Sequence, residues 1–241
     1  MHAYTAGMRT PALVAVSHGT ANAPGAAAIA LLVRRVAERL PGVAVHEAFV
    51  DVQQPEPATV LGTIPGPVVV VPLLLSQGFH VRVDLGEAVA GHTGAVLAPP
   101  LGPDRRLAEV LAQRLEGHDP NAPVVLAVAG SRDPRSLPDA EEMADLLRDR
   151  LGRDVLPAYL AAREPSLTAA LAERPDAVVA TYLLAQGYFF DVTRRLAGAA
   201  ATAPLLDDAE PPRALVDLVI ARYRASAASA AAREEVGAHS A

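Results

Sequence analysis

The chain repeats itself once. "PVVLAVAGS" (residues 123–131) restates "PALVAVSHGT" (residues 11–20), and "DVLPAYLAAREP" (residues 154–165) restates "VAVHEAFVDVQQP" (residues 43–55). "TYLLAQGYF" (residues 181–189) restates "PLLLSQGFH" (residues 72–80), and matched positions lie 109 to 111 residues apart throughout. Two copies at a nearly constant offset are a tandem duplication rather than a solenoid, which stacks more repeats than this. Whatever one half folds into, the other must fold into as well. The expected domains are 10–117 and 123–225, joined by "GHDPNA" (Gly117–Ala122), with an Ala- and Ser-rich tail over 226–241 expected to be frayed.

Within each half, apolar runs alternate with helix-forming stretches. Leu13–Val16, Val43–Val50, Pro67–Leu75 and Ala95–Leu101 read as strands. Pro24–Leu40, Pro57–Gly62, a segment opening near Asp84 and Asp104–Leu115 read as helices. Continuous β-branched runs between helices indicate strands covered on both faces. The predicted fold is therefore α/β: two tandem domains, each a mostly parallel sheet under helices, with a cleft between them.

Composition narrows the chemistry. There is no cysteine, which excludes disulfides, thiolate metal sites and thiol nucleophiles. There is no lysine either; all 21 basic residues are arginine, which excludes Schiff-base chemistry and a P-loop. A net charge of −6 with no basic block, no tryptophan and only 4% aromatics argue against a nucleic-acid partner. No apolar stretch is long enough to span a membrane, and the N-terminus lacks the layout of a signal peptide, so a cytoplasmic protein is expected. Metal ligands, if any, are His, Asp and Glu, a set that accepts Fe, Co, Ni or Zn without choosing among them.

The duplication permits an internal comparison. Scaffold residues agree between copies: Gly19 with Gly130, Thr20 with Ser131, Pro55 with Pro165, Gln77-Gly78 with Gln186-Gly187. Chemically capable residues do not: His18 faces Ala129, Glu47 faces Pro157 and His80 faces Phe189. Three potential ligands lost together point to one site, present in the first half and absent from the second. His18 ends the first strand and His80 follows the third, so both belong at the carboxyl edge of the sheet, where ligands of open parallel sheets collect. Glu47 lies within the second strand rather than at its end.

Taken together, "SHGT", "HEAFVDVQQP" and "PLLLSQGFHVRVDL" resemble the sirohydrochlorin chelatases, the class II tetrapyrrole chelatases that include the siroheme ferrochelatase and the cobaltochelatase of cobalamin synthesis. The family's His-Gly-Ser motif is matched by His18-Gly19-Thr20, its strand glutamate ahead of a proline by Glu47 and Pro55, and its Gly-x-His and following Asp by Gly78, His80 and Asp84. The resemblance covers nearly the whole chain, because long members consist of two such halves. It departs at one point: the continuation Ser-Arg-Asp-Pro stands only in the second half, as Ser131-Arg132-Asp133-Pro134, while the first half has Thr20-Ala21-Asn22-Ala23.

The resemblance implies a lyase-type chelatase that needs no ATP and inserts Fe²⁺ for siroheme, or Co²⁺ for cobalamin, into a metal-free tetrapyrrole with release of two protons. It implies His18, Glu47 and His80 as metal-binding and catalytic residues. Thr20, Ser76, Gln77, Gly78 and Arg82 are the candidate substrate contacts. The metal is a substrate, so no permanent cofactor is expected, and Ni²⁺ is a further candidate. The partner is the small-molecule macrocycle, and the two halves suggest a monomer. Two other readings stand beside this one. A non-catalytic tetrapyrrole or metal carrier would keep the same histidines. A histidine phosphatase needs an arginine directly before the His-Gly pair, where this chain has Ser17.

Overall fold

In the computed structural model, which describes residues 10–78 and 83–238, the duplication appears as two parallel sheets. The first half runs β1 (Ala12–Ser17), α1 (Ala23–Glu38), β2 (Val45–Phe49), α2 (Pro57–Thr63), β3 (Val68–Pro72), α3 (Asp84–Ala90), β4 (Ala95–Leu97) and α4 (Arg105–Arg114). The second runs β5 (Val124–Val128), α5 (Ser136–Leu151), β6 (Val155–Tyr159), α6 (Leu167–Glu173), β7 (Val178–Tyr182), α7 (Tyr188–Ala197) and α8 (Arg213–Ala238), with a 3₁₀ turn at Gly198–Ala200. Strand orders are β2-β1-β3-β4 and β6-β5-β7, every pair parallel. The expected α/β class and duplicated architecture are what the chain adopts.

Alternation along each strand sorts side chains between two cores. On β3, Val69 and Val71 face inward and Val68 and Val70 face outward. The outward faces pack under α2 and α3 in one half and α6 in the other. The inward faces of both sheets, with α1, α4, α5 and α8, share one continuous core containing Leu32, Leu111, Met143, Leu126 and Leu218. At about 1.5–3 kcal/mol per fully buried aliphatic side chain, this shared layer holds the halves in one unit.

Helix α8 completes the first half rather than only the second. Arg222 donates from Nε to the Pro100 carbonyl at 2.9 Å and from a terminal nitrogen to the Leu101 carbonyl at 3.0 Å. The Tyr223 hydroxyl donates to the Pro11 carbonyl at 2.6 Å. From residue 226 the helix runs on to Ala238, and Ser226 is buried; residues 239–241 of the tail singled out from the sequence lie outside the described residues. Alanine carries the highest helix propensity, so an Ala-rich stretch prolongs a helix already anchored by a packed face. Among the described residues no helix is long and apolar enough to cross a membrane.

Candidate functional site

The carboxyl ends of both sheets open into one cavity of about 890 Å³, within the range of sites for small organic ligands. Its first-half wall is the end of β1, from Ser17 to Asn22, with Leu73 to Ser76 and Gly78 beyond β3. Its second-half wall is the end of β5, Tyr159, and the run from Tyr182 through Asp191. The cleft predicted between the halves is this cavity.

His18 stands exposed at its edge, with Nδ1 3.4 Å from the Gly19 carbonyl oxygen. The strand turns sharply behind it. Gly19 has φ +88°, and a Cβ there would collide with the Asp51 carbonyl, so only glycine lets the ends of β1 and β2 approach this closely. Thr20 follows, its N–H donating to Gln53 Oε1 at 2.9 Å, and Asn22 then caps α1 by accepting the Gly25 N–H at 2.8 Å. Beneath this loop the Ser17 hydroxyl is buried and has no hydrogen-bond partner among the described residues. Its repeat counterpart is Val128, so the unspent polar group belongs to the first half alone.

Of the residues singled out from the sequence, His18, Thr20, Ser76 and Gly78 line the cavity. Gln77 sits between two of them, and its N–H donates to Asp139 Oδ2 of α5 at 2.5 Å. His80 and Arg82 lie outside the described residues. Glu47 is placed elsewhere. It pairs in register with Ala15, midway along β2 on the inward face, half-buried beneath α1, and is not among the residues lining the cavity. Burial raises its carboxyl above the ordinary value, with the Arg34 guanidinium pulling the other way.

A second carboxylate, closer in backbone to His18 though likewise not among the cavity-lining residues, is Asp51. Its N–H donates to the His18 carbonyl at 3.0 Å, and its side chain accepts the Val52 N–H at 2.8 Å. Val52, in the left-handed region at φ 57°, lines the cavity. The equivalent bond in the second half joins Ala161 to Ala129 at 3.1 Å, so Asp51 is one more capable residue replaced by an inert one in the other copy. The pairing of repeats that singles out His18 also contains Asp51. A second group legible only in the structure is Tyr188-Phe189-Phe190, which puts three consecutive aromatic residues on the second-half wall. Among the described residues no group of three or more His, Cys, Asp or Glu side chains is gathered closely enough to hold a metal ion.

The CbiX family profile matches the chain twice, over residues 12–118 and again over 123–223. The chain belongs to the CbiX family. The two matches fall on the two halves, in agreement with the resemblance to two-half sirohydrochlorin chelatases drawn from the motifs. No curated protein sequence matches the chain. Among solved structures, SirB from Bacillus subtilis with Fe³⁺ superposes with a TM-score of 0.78 at 20% identity, covering 92% of this chain and 98% of that one. SirB from Bacillus subtilis subspecies spizizenii in complex with cobalt gives 0.75 at 20% identity, covering 90% and 95%. The CbiX described as the terminal enzyme of siroheme biosynthesis in denitrifying bacteria gives 0.63 at 22% identity, covering 87% and 98%. Two-half CbiX architecture is thus shared along nearly the full length of those proteins.

Proposed function

We propose that this CbiX-family protein is a sirohydrochlorin chelatase that inserts Fe²⁺ or Co²⁺ into the metal-free macrocycle without ATP. The observation that carries the reading is the position of His18, at the carboxyl end of the central strand, opening into a cavity built by both halves of a twice-matched CbiX chain. Two pyrrole N–H protons must leave as the metal enters. Neutral imidazole both ligates late first-row divalent ions and accepts protons near neutral pH, so histidine suits either role.

In this reading His18 and His80 hold the incoming metal, with coordination positions left for the ring nitrogens. Two carboxylates compete for the third role. Glu47 fits the family motif, but its mid-strand position beneath α1 separates it from the cavity lining. Asp51 lies at the strand end beside His18, which favours it as the carboxylate that meets metal or departing proton. The buried Ser17 hydroxyl, with no hydrogen-bond partner among the described residues, leaves an unspent donor at the base of the first-half wall. Thr20, Ser76 and Gly78 are the wall contacts for substrate.

Anaerobic incubation of metal-free sirohydrochlorin with Fe²⁺ or Co²⁺ tests the reading by absorbance. Many turnovers per protein molecule support a chelatase. A protein that binds the ring but metallates no faster than buffer is a carrier.

A further inference from the structure

Aromatic residues are scarce in this chain: four Phe, five Tyr and no Trp among 241 residues. Five of those nine line the cavity: Tyr159, Tyr182, Tyr188, Phe189 and Phe190. Tyr159 and Tyr182 are buried, so packing accounts for them. The other three open α7, of whose ten residues only Thr193 is buried, and Tyr188 is 74% exposed. Large aromatic faces left toward solvent at a cavity wall mark surface that a ligand covers.

The three are held in place. The turn before them rests on the first half, since a Cβ on Gly25 of α1 would collide with the Gln186 carbonyl and one on Gly187 would lie 3.2 Å from Thr20 Oγ1. The start of α7 is therefore seated against the loop that carries His18, Gly19 and Thr20. Tyr188 and Phe189 brace each other edge to face, with ring centroids 5.5 Å apart at 65°. In the repeat register Phe189 occupies the position that holds His80 in the first copy. Where one half carries a candidate ligand, the other carries a ring.

We infer that Tyr188, Phe189 and Phe190 form a stacking wall for a flat conjugated macrocycle, with Tyr188 the residue that sets affinity for it. The inference rests on the chelatase reading and gives the ligand-poor half its own role, which is to hold the ring while the first half brings the metal. An aromatic face meets a π-system of any ring substitution, so the wall recognises the macrocycle itself and not its carboxylates.

The test uses the full chain, with metal-free sirohydrochlorin as probe and the shift of its absorbance as readout. Tyr188 is exposed, so Tyr188→Ala leaves the fold intact, and Tyr188→Phe keeps the ring while removing the hydroxyl. Tyr188→Ala should bind the macrocycle roughly tenfold more weakly. It should raise KM with kcat unchanged, and leave the affinity for Co²⁺ alone as in wild type. Tyr188→Phe should match wild type. Wild-type affinity in Tyr188→Ala would overturn the wall while leaving the chelatase reading intact. Equal losses in both variants, or a loss of Co²⁺ affinity, would overturn it as well. A wild-type protein that neither binds nor metallates the macrocycle removes the chelatase reading, and the wall with it.

Discussion

Asp51 donates its backbone N–H to the carbonyl of His18 at 3.0 Å, tying the ends of β1 and β2 together at the mouth of the cavity. Glu47 lies four residues back, within β2 and under α1. The two carboxylates are therefore separable by experiment. Asp51→Asn should lower kcat/KM for metal insertion by at least about tenfold, the size of effect that follows loss of a group ordering a metal site. Glu47→Gln should insert metal at close to the wild-type rate. Steady-state kinetics with Co²⁺ decide between them, and the reverse ranking would return the role to Glu47.

Glu47 instead bears on stability. Burial holds its carboxyl above the ordinary 4.5, so the folded protein binds this proton more tightly than the unfolded chain does. Its contribution to stability is fully present below the unfolded value and is lost as the pH rises through the raised one. Denaturant unfolding across that window should show wild type losing stability relative to Glu47→Gln as pH increases. A difference that is flat with pH, or that runs the other way, contradicts the burial of this carboxyl.

The halves are also joined by Tyr182, whose buried hydroxyl donates to the Leu75 carbonyl at 2.9 Å. The corresponding position in the first half is Leu73, so no symmetric bond exists. Tyr182→Phe leaves that carbonyl without its partner and should cost about 1–3 kcal/mol. A lower urea midpoint at unchanged m-value would show it.

Two helical glycines predict opposite outcomes for the same substitution. Gly62 in α2 has open space around its missing side chain, so Gly62→Ala should stabilise by about 0.5–1 kcal/mol. Gly25 in α1 has the Gln186 backbone against it. Helix propensity favours alanine there too, by roughly 1 kcal/mol, but a backbone collision cannot be relieved by a rotamer change. Gly25→Ala should therefore destabilise, by about 1–3 kcal/mol. Thermal melts of the pair check both signs.

Much of this is legible in the sequence, for particular physical reasons. Val68–Val71 is apolar at every position because both faces of β3 are covered, and a short all-valine run between helices reads as a buried parallel strand. The duplication locates both halves and singles out His18. The route of α8 is not legible: its Ala- and Ser-rich end carries no hydrophobic period, while its anchoring bonds to Pro100, Leu101 and Pro11 join residues more than a hundred positions apart. Asp51 is masked in the sequence by its neighbour Glu47, which fits a motif although register places it opposite Ala15 in mid-strand. The aromatic run at Tyr188 stands in the sequence only as part of the restated stretch 181–189, and the approach of Gln186 to Gly25 puts it on the cavity wall.

The most direct measurement compares wild type with His18→Ala in the metallation of sirohydrochlorin by Fe²⁺, followed by absorbance without oxygen. His18 is exposed, so the variant should fold and still bind the metal-free ring. If His18 delivers the metal, His18→Ala binds the macrocycle normally and inserts iron no faster than buffer. Insertion by His18→Ala at the wild-type rate would contradict a metal site at the end of β1.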